Sequence, residues 1–90
     1  MEHTFKLTKE VVVDSFPHFR KYYQFYYKVL NETHEIVVRY IPDGELQSAS
    51  VEYDKICTGN TFRDGSYEIT EEEFNETFTR AYALINNKNQ

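Results

Sequence analysis

Phe74, Phe78, Ala81, Tyr82 and Ile85 recur at i, i+4, i+7, i+8 and i+11, the period of one helical face. Thr70 and Glu73 fit a capping box, in which the hydroxyl takes an orphan N–H and the carboxylate reaches back. Glu71, Glu72 and Glu73 put negative charge in the first turn, where the helix dipole favours it. A helix is therefore predicted over 70–86, with Phe74, Phe78, Tyr82 and Ile85 buried and Ile69 in the hydrophobic-staple position just outside it. Asn86 to Gln90 read as a polar, frayed tail.

Elsewhere the period is two. Phe5, Leu7, Val11 and Val13 alternate with Thr4, Lys6, Thr8 and Glu10, which predicts a strand over about 4–13. Residues 14–21, broken by Pro17, read as irregular. The aromatic run that follows is ambiguous. Tyr23, Phe25, Tyr27 and Val29 alternate as in a strand, yet Phe19, Tyr22, Tyr23, Tyr26, Tyr27 and Leu30 would line one helical face. Aromatic crowding favours the pleated surface. Asn31-Glu32-Thr33-His34 then reads as a four-residue loop before the strand 35–41. Pairing Leu30 with Glu35 sets Val29 against Ile36, Tyr27 against Val38 and Phe25 against Tyr40, an apolar face throughout. Pro42-Asp43-Gly44 is a turn signal, and Ala49, Val51 and Tyr53 alternate with Ser50, Glu52 and Asp54 as a half-buried strand. Residues 57–66 read as a loop with a short strand at Thr61–Phe62. These elements predict one α+β domain over 1–90: an antiparallel β-meander of about four strands with one C-terminal helix packed across one face. The helix stripe is expected to meet Phe25, Tyr27, Ile36, Val38, Val51 and Tyr53.

Composition sharpens this in two ways. Aromatic residues make up 17% of the chain, enough apolar material for a core in 90 residues. The net charge of −5 is unevenly spread, with the excess acid beyond residue 40, and an acidic total weighs against phosphate recognition. The N-terminus shows no basic region followed by an apolar run, so no signal peptide is expected. No window approaches the roughly 18 apolar residues of a membrane span. With the single cysteine Cys57, these features place the expectation on a reducing, cytoplasmic setting without membrane contact.

Candidate chemistry is sparse. His3, His18 and His34 lack any two-ligand spacing, and His18 and His34 are expected at the surface. Cys57 with a distant histidine is formally a nucleophile–base pair, but nothing in the sequence lowers its pKa, and a small half-buried thiol is the simpler reading. Neither a cofactor nor a metal site is expected. Arg20, Lys21, Tyr22, Tyr26, Lys28 and Arg39, with Gln24, are the sharper constellation. They are expected to share the sheet face turned away from the helix, with Arg39 lying on Tyr26. Basic residues among tyrosines suit a protein contact. The alternative is single-stranded nucleic acid on the same face, and a small Cys/His enzyme ranks last.

Phe16-Pro17-His18-Phe19-Arg20-Lys21, Tyr26-Tyr27-Lys28-Val29 and Ile69-Thr70-Glu71-Glu72-Glu73-Phe74-Asn75 resemble segments of small uncharacterised proteins of gut bacteria, their phages and mobile elements. That resemblance implies a bacterial or phage cytoplasmic origin. It brings no catalytic residue with it.

Overall fold

The computed structural model describes residues 3–5, 11–56 and 58–88. Four strands run as an antiparallel meander: β3 (His18–Tyr22), β4 (Phe25–Val29), β5 (His34–Ile41) and β6 (Ser48–Lys55). A fifth, β7 (Tyr67–Glu68), returns to pair with β3, giving the order β6-β5-β4-β3-β7. The helix α2 (Glu71–Lys88) packs across one face of this sheet, so the fold is α+β, with five strands rather than four. The residues expected as a frayed tail continue the helix as far as Lys88. Two further elements are the paired strands β1 (His3–Phe5) and β2 (Val11–Val13) and the short helix α1 (Thr58–Thr61). The single strand expected over 4–13 is thus two strands paired antiparallel, and the expected strand at Thr61–Phe62 is instead the last residue of α1 and the turn that follows it.

The β4–β5 register departs from expectation by one residue. Tyr26 faces Val38 and Tyr27 faces Val37, because the connecting loop is one residue shorter than the sequence suggested. Asn31 tightens it: its side-chain oxygen accepts from the N–H groups of Thr33 (2.8 Å) and His34 (2.9 Å), and Leu30 N–H closes onto the His34 carbonyl at 3.0 Å. A one-residue slip sends every side chain of a strand to the other face. Directly opposed residues share a face, so one row across the sheet reads Tyr67, Lys21, Tyr26, Val38, Val51. The next reads Glu68, Arg20, Tyr27, Val37, Glu52 and lies on the far side.

The helix covers the first row. Phe19, Val38, Ile69, Phe74 and Ala81 are buried there, with Tyr26, Ile36, Tyr40, Ala49, Val51 and Phe78 packed around them. Phe25 and Tyr27, expected under the helix, therefore lie on the far face, where Tyr27 is buried among other partners. Tyr82 and Tyr53, also expected in this core, are more than half exposed. At the helix start the Thr70 half of the expected box is in place: Thr70 Oγ1 accepts from Glu73 N–H at 3.1 Å, and Ile69 shares the core with Phe74.

The far face holds a second core, which sequence reasoning missed. Val13, Val29 and Phe62 are almost fully buried there, with Phe16 and Ile56 against them. Beside it Glu35, only 2% exposed, accepts from the buried Thr61 hydroxyl at 2.6 Å. His18, expected at the surface, is buried and stacked on Phe62. Its Nε2 lies 3.4 Å from Arg20 Nη1 and its Nδ1 3.7 Å from Glu68 Oε2. Arginine only donates, which fixes the neutral tautomer with the proton on Nδ1, toward Glu68.

Burial pushes the His18 pKa below its usual range; Glu68 opposes this and Arg20 reinforces it. A histidine whose folded pKa is depressed favours the folded state while neutral, above the unfolded value near 6.5. That stability is lost as pH falls below this value and through the folded pKa. Urea unfolding is expected to show wild type weakening more steeply than His18→Gln between pH 7.5 and 5.5. Parallel pH profiles for the two proteins would show that His18 titrates alike folded and unfolded.

Candidate functional site

The six basic and tyrosine residues that the sequence grouped together divide between the two faces. Arg20, Tyr22 and Arg39 lie on the far face, and Lys21, Tyr26 and Lys28 lie on the helix side. Their cations are already engaged within the fold. The Arg20 guanidinium sits 5.3 Å from the Phe62 ring centroid and donates to the Ser66 carbonyl and hydroxyl, both at 3.0 Å. Lys28 Nζ lies 5.9 Å over Phe19. Arg39 is not on Tyr26: it stands opposite Phe25 and donates to Ser48 Oγ at 2.9 Å. Lys21 takes the place over Tyr26, at 5.0 Å, between Tyr26 and Tyr67 in the same row. Hydrogen bonding to Tyr26 holds the Lys21 ammonium above its ordinary pKa, and Tyr67 adds to this. Arg20 and Lys28 thus have a place in the fold that needs no external partner.

Tyrosines gather instead around the β3–β4 turn. Tyr22 and Phe25 are paired, so only Tyr23 and Gln24 make the turn, with Tyr23 at φ 51°. Left-handed backbone is uncommon for any residue other than glycine and costs a bulky side chain on the order of 1–2 kcal/mol. Here it displays a ring that is 73% exposed and touches Tyr22 edge-on at 4.6 Å. Tyr22 in turn lies under the Arg63 guanidinium, 4.5 Å away. Gly65 permits that arrangement, since a Cβ there would come within 3.2 Å of the Tyr22 ring, and its φ of +95° suits glycine.

Tyr23 forms a ridge between two depressions. On one side a groove of about 630 Å³ is lined by Tyr23, Gln24, Tyr26, Tyr40, Leu46 and Arg80 among others. It lies where the flank of α2 meets the two turns at one end of the sheet, and Leu46, 77% exposed, forms its far rim. On the other side Lys21, Tyr22, Gly65 and Tyr67 surround a smaller hollow of about 390 Å³. Of the predicted residues, the fold brings Lys21, Tyr22 and Tyr26 to this region and leaves Arg20, Lys28 and Arg39 out of it. Sequence reasoning missed Tyr23, Tyr40, Leu46, Tyr67 and Arg80 because they come from five separate elements or turns. The far face differs in character: its hollow of about 270 Å³ is lined by Glu35, Glu52 and Asp54 as well as Lys55 and Arg63. Cys57, on which the enzyme reading turned, lies outside the described residues.

Comparison of the chain with protein-family models, curated proteins and solved structures gives no match. No described helix is long and apolar enough to cross a membrane.

Proposed function

We propose that this chain is a non-catalytic binding module whose contact surface is the tyrosine groove at the β3–β4 turn. The partner is a protein that sets an apolar side chain between Tyr23 and Leu46 and an acidic group near Arg80. The carrying observation is Tyr23 itself, a large aromatic residue held in a left-handed turn where glycine would be easier, and left exposed. Strain kept at an exposed position points to a role outside the fold. Tyrosine and arginine also dominate contact hot spots, because they bury much area at small conformational cost. The second reading, single-stranded nucleic acid, keeps the stacking platform of exposed tyrosines in its favour. Against it, Arg20, Lys28 and Arg39 are turned to intramolecular partners, and the far face carries exposed Glu52 and Asp54.

Tyr23→Gly separates binding from folding. Its stability is expected to stay within about 1 kcal/mol of wild type, since relief of the left-handed strain offsets the added freedom of the unfolded chain. A partner recovered with wild type, and identified by mass spectrometry, is expected to be lost by Tyr23→Gly and by Leu46→Ser but kept by Glu52→Gln. Retention by both groove variants at wild-type affinity would rule the groove out. If a labelled oligothymidylate binds with an affinity that falls steeply with salt, the nucleic-acid reading replaces this one.

A further inference from the structure

We propose that β6 pairs antiparallel with β6 of a second copy of this chain, joining two five-stranded sheets into one across a two-fold axis at Val51. Among the described residues β6 is an edge strand with β5 as its sole ladder partner, and its pairing runs unbroken from Ser48 to Lys55. The opposite edge, β7, is two residues long. Natural sheets blunt their edges with prolines, bulges, charges or short strands. Ser48-Ala49-Ser50-Val51 carries none of these, and the charges of the strand, Glu52, Asp54 and Lys55, are confined to its second half.

Backbone direction along β6 follows from one bond. Ile56 N–H donates to the Thr33 carbonyl at 2.9 Å, on the β5 side. Alternate residues in an antiparallel pair point their N–H and C=O groups the same way. Asp54, Glu52, Ser50 and Ser48 therefore point to β5, and Lys55, Tyr53, Val51 and Ala49 point outward. The Lys55 N–H is taken by the Asp54 carboxylate at 2.7 Å, which marks where the open edge ends. Ala49, Val51 and Tyr53 remain as outward donors and acceptors.

Side-chain chemistry selects the occupant and the register. Centring the axis on Val51 lets each N–H of Ala49, Val51 and Tyr53 meet a carbonyl of the other copy. On the helix side, small Ala49 then faces the 66% exposed Tyr53 ring, and Val51 faces Val51. On the far side, Ser50 faces Glu52 and Ser48 faces Asp54, hydroxyl donors against carboxylate acceptors. Moving the axis to Glu52 would set that carboxylate against its own copy, and moving it to Tyr53 would set Glu52 against Asp54. Like charges directly opposed are destabilising, which disfavours both of these registers. Moving the axis the other way, to Ser50, would set Tyr53 against Gln47, which lies beyond the strand and whose N–H already donates to the Gly44 carbonyl at 3.2 Å. Both copies of α2 then lie on the same side of the joined sheet. A contact confined to a strand edge is small, so the dimer is weak and depends on concentration.

Sedimentation equilibrium tests this directly. Wild type is expected to move from monomer to dimer as concentration rises toward about 1 mM. Tyr53→Pro removes an outward N–H without touching the β5 ladder, an edge position where proline is tolerated. It is expected to keep a wild-type circular dichroism spectrum and remain monomeric. In a Cys57→Ser background, Val51→Cys should form a disulfide-linked dimer on mild oxidation far faster than Ser50→Cys, since only position 51 faces itself. A wild type that stays monomeric throughout overturns the proposal. So does a dimer that survives in folded Tyr53→Pro, or one that cross-links no faster at 51 than at 50.

Discussion

Phe74→Ala is expected to destabilise the fold by about 3–5 kcal/mol, the range for emptying an aromatic core site. Phe74 is 2% exposed and its ring lies 5.5 Å from Phe19 and 6.3 Å from Phe78, so it joins the first turns of α2 to β3. Tyr82→Ala is the matched control. Tyr82 falls on the same stripe by sequence but is 56% exposed, touching Phe78 with ring centroids 6.4 Å apart. Its loss should amount to about 1 kcal/mol or less. Chemical denaturation of both variants settles the helix phase: comparable losses would mean that the buried stripe runs through Tyr82.

The second large effect belongs to the far face. Phe62→Ala is expected to cost about 3–5 kcal/mol as well, although nothing in the sequence marks Phe62 as core. The ring is 1% exposed, stacks on His18 at 6.1 Å and carries the Arg20 guanidinium at 5.3 Å. Removing it opens Val13 and Val29 to water and strips the apolar support from a buried histidine and a half-buried arginine. Phe62→Leu should recover much of the loss, because volume matters more than the ring. A Phe62→Ala protein with wild-type stability would show that the second core carries no weight.

The elements with strong local signals were legible. The capping threonine, the Glu-rich first turn and the apolar stripe placed α2, and alternation placed β5 and β6. What failed had physical causes. Two turns had misleading chemistry: Tyr23-Gln24 carries no glycine or asparagine at its left-handed position, so the β3–β4 hairpin was invisible. The Asn31 side chain closes a tighter loop than residue counting suggests. Once the register shifts by one, Tyr26 and Tyr27 exchange faces, and with them half of the expected basic–aromatic cluster. The second core was hidden for another reason. Val13, Val29 and Phe62 come from three separate segments, and Phe62 follows a four-residue helix too short to show a period. The groove suffers the same way, since Tyr23, Tyr40, Leu46 and Arg80 meet only when the sheet and helix are assembled.

Strand β3 bears on how this sequence can drift. Its alternate residues serve opposite cores: His18 and Arg20 brace Phe62, while Phe19 meets Phe74 under α2. The strand repeat is two, so a single inserted residue would turn each of these side chains toward the wrong layer. Point substitutions in β3 damage one layer at a time, whereas a one-codon insertion or deletion there damages both together. The exposed turn between β5 and β6, from Pro42 to Gln47, has no such double duty. Length variation between relatives of this chain should therefore gather in that turn and be missing from residues 18–22.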